Sequence, residues 1–180
     1  MSLARISAAL SLAAAAITIL PPVAAQPASV AAPLLPLADV LNRAMAAYQA
    51  RDYQRAAIAF RSLADQGSAI AETMLGVIYA RGQGVAPDPA TAAGYWLRAA
   101  SRGYAPAQLA FARALASGAG VTRDPEAAWV LASLAARGGD AAVAQQARGL
   151  AAQLQRGFTT ERAAALAKQL ASWRPWIAAY

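Results

Sequence analysis

Apolar residues return along the middle of this chain with the period of a helix. Between Ala69 and Ala80, Ala71, Leu75 and Tyr79 fall at i, i+4 and i+8, so they line one face of an amphipathic helix. Gly76 lies beside that face and lets a neighbour approach closely. The same pattern returns 36 positions on as Ala107, Phe111 and Leu115, with Ala112 in place of the glycine. A second helix in each unit is predicted from "ATAAGYWLRAASRG" and "EAAWVLASLAARGG". There Ala92, Tyr95, Trp96, Ala99 and Ala100 match Ala128, Leu131, Ala132, Ala135 and Ala136. The tryptophan moves to Trp129, three positions earlier in the repeat frame. That shift keeps it on the same helix face and predicts the same interface.

The loop between the paired helices, "RGQGVAPDP" from Arg81 to Pro89, could be mistaken for a phosphate-binding turn. Its Gly82, Gly84, Val85, Asp88 and Pro89 recur as Gly118, Gly120, Val121, Asp124 and Pro125. Recurrence at a fixed interval marks a repeat. No strand precedes the loop and no Gly-Lys-Ser/Thr follows it. Each residue instead has a structural task. The glycines end the first helix and turn the chain, and the valine tucks under the turn. The aspartate caps the second helix, with proline in its first turn. Gly67, Gly103 and Gly139 each follow a second helix and fit a left-handed C′ position. Pro106 suits the first turn of the helix after Gly103.

Upstream, Tyr48, Tyr53, Ala56, Phe60 and Leu63 form a degenerate unit whose turn is compressed to "ARD". Downstream, "DAAVAQQARGLAAQL" supplies another first-type helix. "FTTERAAALAKQLASW", capped by Thr159 or Thr160, closes the stack. About eight helices in four antiparallel pairs are expected over residues 38–175.

The flanks differ. Residues 1–25 have the grammar of a cleaved secretory signal. Arg5 is followed by an uncharged apolar core from Ile6 to Leu20, then Pro21-Pro22 and small residues before Gln26. About 15 apolar residues fall short of the ~20 that span a bilayer. Residues 26–37 carry three prolines and read as an extended leader. A periplasmic or secreted location follows, with no transmembrane segment in the mature chain. At the other end, Pro175 ends the last helix near Trp173. Trp176, Ile177 and Tyr180 are left in an aromatic tail over residues 176–180, either as an end-cap or as a docking element.

Composition narrows the chemistry. The chain is 58% hydrophobic, much of it alanine, which favours an all-α protein with closely packed helices. It has no cysteine and no histidine, so disulfides, thiolate nucleophiles, zinc sites and Ser-His-Asp triads are excluded. Catalysis would have to use carboxylates such as Asp52, Asp65, Glu72, Asp140 and Glu161, and no obvious pair exists among them. Neither enzymatic activity nor a cofactor is expected. The net charge of +7 suits anionic partners. The arginines are scattered, however, and nucleic acid is not an expected partner.

The motif A-x-x-x-L-G-x-x-Y from Ala71 to Tyr79 is followed by G-x-G-V-x-x-D from Gly82 to Asp88. A-x-x-x-W-x-x-A-A-x-x-G then runs from Ala92 to Gly103. Together these resemble the Sel1-like repeat, a relative of the tetratricopeptide repeat. The resemblance implies a right-handed α-solenoid that acts as a protein–protein interaction scaffold or adaptor in the bacterial envelope, with partners on its concave face. The alternative is a module that binds an anionic polymer or membrane surface through scattered arginines. Residues beside the packing face of the first-type helices are the candidate partner-binding positions: Glu72 and its equivalent Gln108, Val77 and its equivalent Arg113, and Arg148. Trp176 of the tail is added to these.

Overall fold

A computed structural model describes residues 36–172, and all of them are part of one compact unit. The signal, the leader before Pro36 and the aromatic tail lie outside the described residues. Within them are eight α-helices and no strand. These are α1 (Leu37–Gln49), α2 (Tyr53–Asp65), α3 (Ala69–Arg81), α4 (Pro89–Ser101), α5 (Ala105–Ser117), α6 (Pro125–Ala135), α7 (Ala141–Gln155) and α8 (Thr160–Ser172). The helical domain thus starts at Leu37, on a helix that follows Pro36.

The order of packing is that of a solenoid. Each helix packs on its chain neighbour from α1 to α7. In addition α3 meets α5, and α5 meets α7. The odd-numbered helices from α3 to α7 therefore stand side by side as one row. Small residues permit this closeness, since Ala56, Ala71, Ala92, Ala107, Ala112, Ala128 and Ala132 are fully buried. Phe60, Leu63, Leu75 and Ile78 supply the large core side chains, each contributing about 1.5–3 kcal/mol of burial.

The capping chemistry is as the repeat predicts. Asp52, Ser68, Asp88, Asp124, Asp140 and Thr159 each accept a hydrogen bond from a backbone N–H in the first turn of the following helix. Pro89, Pro106 and Pro125 all fall in first turns. Gly82 and Gly118 end α3 and α5 in the left-handed conformation, at φ of 64° and 80°.

The second glycine of each loop has a further task. A Cβ on Gly84 would lie 2.9 Å from the Tyr53 Cβ and 3.0 Å from the Gln54 nitrogen, at the start of α2. A Cβ on Gly120 would overlap the Pro89 carbonyl, at the start of α4. Each loop is thereby seated on the N-terminus of the preceding unit's second helix. Tyr48 adds to the first of these joints by donating to Gln83 Oε1 at 2.9 Å. Val85 and Val121 are half-buried beneath their turns.

Three details depart from a strict repeat. Gly67 and Gly103 are left-handed, but Gly139 is not. Its helix, α6, stops early at Ala135, and the chain turns through i→i+3 bonds from Arg137 to Leu134 and from Gly138 to Ala135. Second, the two tryptophans enter different interfaces. Trp96 reaches back to α3, where Nε1 donates to the Thr73 carbonyl at 3.2 Å and the indole covers Gly76. Trp129 instead packs with Leu166 and Leu170 of α8 and with Leu134. A three-residue shift turns a helix position by about 60°, enough to exchange one neighbour for another. Third, α8 leans on α6 more than on its chain neighbour α7.

The aspartate cap predicts a pH dependence. The hydroxyl and backbone N–H of Thr91, at 2.6 and 3.0 Å, hold the Asp88 carboxyl below its ordinary value. A lowered folded pKa gives stability that is present above the unfolded value of about 3.9 and lost as pH falls through the folded one. Asp88→Ala should lower the melting temperature at pH 7 by about 3 °C. The difference should shrink below about pH 4, and thermal scans from pH 2 to 7 read it.

Candidate partner-binding surface

The candidate residues divide by burial. Glu72 and Gln108, expected at the surface, are only 3% and 4% exposed. Both are turned toward α4. Glu72 forms ion pairs with Arg102 and with Arg98, the latter at 3.4 Å, and Gln108 Nε2 donates to the Ala100 carbonyl at 3.4 Å. They tie first-type helices to a second-type helix and present nothing to a partner. A buried carboxylate is tolerated there because two guanidinium groups neutralise it.

Val77 and Arg113 behave otherwise. Repeat equivalents on α3 and α5, they line opposite walls of one cleft between those helices, with a volume of about 280 Å³. Ala80 and Arg81 complete the α3 wall, while Ala110, Ala114 and Ser117 complete the α5 wall. Trp96 and Ala119 also border it. Arg113 is exposed and donates through Nη2 to Gln146 Oε1 of α7 at 2.8 Å, so it bridges to the next helix of the row. Arg148 is exposed on α7. In the repeat frame it takes the place of Gly76, which faces Trp96 of α4, and of the buried Ala112. Trp176 lies outside the described residues.

A separate feature was not foreseen from the sequence. Arg61 Nη2 donates to the Tyr79 hydroxyl at 2.9 Å, which raises the arginine's pKa. Tyr79 stacks on Tyr95 at 5.7 Å between centroids, and the Arg98 guanidinium lies 4.7 Å from the Tyr95 centroid. This ladder joins α2, α3 and α4, and with Arg98 it links on to Glu72. The only advance signal was Tyr79 at the end of the first motif, where the next unit has Leu115. Two further hollows lie against Thr91, Gly94, Tyr95 and Arg98, about 440 Å³, and between α6 and α8 around Glu126 and Arg162, about 400 Å³.

The carboxylates considered for catalysis are placed as structural groups where the structure assigns them a contact. Asp52 and Asp140 cap helices, and Glu72 is paired with arginines. Glu126 is held below its ordinary pKa by Arg162, which bonds Glu126 Oε1 through Nε at 2.6 Å.

Stacked helix hairpins with the first-type helices side by side in one row define an α-solenoid. Within that class the Sel1 repeat model matches residues 69–104 and 105–140, the two units the internal period marks out. Residues 69–140 of the chain thus carry two Sel1 repeats. Solved structures agree in fold. One is a protective antigen present in uropathogenic Escherichia coli strains and displaying an SLR fold. It is similar at 24% identity and a TM-score of 0.55, over 74% of this chain and 32% of that one. Another is a Sel1 repeat protein from Oxalobacter formigenes, at 23% identity and a TM-score of 0.56, over 70% of this chain and 55% of that one. The chain thus spans a third to about half of the length of these structures. No curated protein matches it.

Proposed function

We propose that this protein is an exported scaffold that holds protein partners in the cell envelope on the concave row formed by α3, α5 and α7. Sel1 repeats generally serve protein–protein interaction. The observation that carries the reading is the α3–α5 cleft, where Val77 and Arg113 meet on an open face instead of being covered by the next helix. Stacked units bury their apolar faces against one another and leave such a row to solvent. Capture from detergent-solubilised envelope, before and after Val77→Glu, tests it. Partners should be lost from the variant while its melting is retained. Retention of every captured protein by the variant would move the binding surface elsewhere.

Export is supported by the signal-like order of Arg5, the apolar stretch to Leu20 and the two prolines. No helix among the described residues is long and apolar enough to cross a membrane. Intact-mass spectrometry of the exported chain should find it starting near Gln26. A chain that keeps residues 1–25 would contradict the reading.

A further inference from the structure

We propose that the α3–α5 cleft is specific for an acidic peptide segment, with a partner carboxylate held between Arg81 and Arg113 and an adjoining apolar side chain seated over Val77 and Ala110. This rests on the reading of the helix row as the partner surface, and names the chemistry of what binds there.

The charge on that row is one-sided. The helices α3, α5 and α7 carry a single acidic residue, Glu72, which is buried and neutralised by Arg98 and Arg102 from the far side. Their arginines are Arg81, Arg113 and Arg148, all exposed. No carboxylate on these helices is left to balance them, so the row presents positive charge alone to a partner. The second-type helices differ, since Glu126 of α6 is paired with Arg162 of α8.

Two of those arginines line the cleft. Arg113 is oriented by its bond to Gln146, a neutral amide that fixes the guanidinium without cancelling its charge. Its remaining donors stay available to a carboxylate, the partner that a planar guanidinium fork matches best. Arg81 occupies the last turn of α3, where the helix dipole also favours a cation. Between the arginines the walls are small and mostly apolar, through Val77, Ala80, Ala110 and Ala114. A volume of about 280 Å³ takes one or two side chains. Charge at the rim with an apolar seat inside suits a mixed acidic and aliphatic peptide better than a uniform polyanion.

The probe is an array of short randomised peptides, bound by the purified full-length protein, with phosphatidylglycerol vesicles measured in parallel. Bound peptides should be enriched in Asp or Glu beside Leu, Ile, Val or Ala. Arg81→Gln and Arg113→Gln should each weaken the best of them about tenfold. Ala110→Leu, which fills the seat without changing charge, should weaken them as well. Met74 stands at its repeat equivalent, so the helix accommodates the larger side chain. Thermal melts verify that each variant folds. Binders without acidic enrichment, lost in Val77→Glu but kept in both arginine variants, would overturn the specificity and leave the scaffold reading standing. An array with no binders, or binding confined to vesicles and dependent on Arg81 and Arg113, would overturn the peptide assignment.

Discussion

Gly120→Val is expected to destabilise the protein by about 3 kcal/mol or more and to lower its melting temperature by about 10 °C. Two effects add at this position. The backbone is left-handed, at φ 72°, which a β-branched residue adopts only under strain. An added Cβ would also meet the start of α4, overlapping the Pro89 carbonyl and lying 2.6 Å from the Ala90 nitrogen. Helix-terminal backbone cannot yield as a flexible side chain would. Gly67→Val is the matched control, because Gly67 is left-handed at φ 84° and a Cβ added there would meet nothing within 4 Å. The difference between the two melting shifts isolates the joint between repeat units. Equal shifts would show that the loop does not bear on α4.

Removing residues 159–180 should convert the protein from a monodisperse species into one that aggregates. Leu166 and Leu170 of α8 cover Trp129 and Leu134, and their loss would open that cluster to water. In a solenoid each unit buries its apolar face only on its neighbours, so an uncovered end attracts other molecules. The truncation also removes Arg162, which pairs with Glu126 of α6. Light scattering and dye binding would follow the change. A second truncation after Ser172 separates the part played by α8 from that of residues 173–180. A chain lacking 159–180 that stayed monodisperse with unchanged melting would remove α8 from the stack.

Much of this architecture is written in local chemistry. The caps at Asp88 and Asp124, the first-turn prolines and the left-handed Gly82 and Gly118 depend on a few neighbouring residues, so the sequence reveals them. The compressed turn of the first unit is legible too, and it places Arg51 at φ 63° where later turns use glycine. Contacts between units leave a weaker trace. The reason for Gly84 and Gly120 is the close approach of another helix, and the same Gly-x-Gly would satisfy the turn alone. The burial of Glu72 depends on Arg98 and Arg102 from the next helix, and those arginines have no counterparts in the following unit. An acidic residue beside the core therefore looked like a surface residue. Near the early end of α6, Gly138 packs close to α5, where an added Cβ would lie 2.6 Å from the Ala105 Cβ. At the candidate surface, Val77 and Arg113 are legible as repeat equivalents beside the packing face. That they share one cleft, and that Arg81 joins them, needed the packing of α3 on α5.

The central claim is that partners are held on the row of α3, α5 and α7, and site-specific photocrosslinking tests it most directly. A photoreactive residue would be placed at Val77 in the cleft and, separately, at Leu97 on α4, which is 50% exposed. Crosslinking in intact cells should join partner protein to the position-77 variant, with none or far less at position 97. Equal capture at the two positions, or capture at 97 alone, would contradict the account.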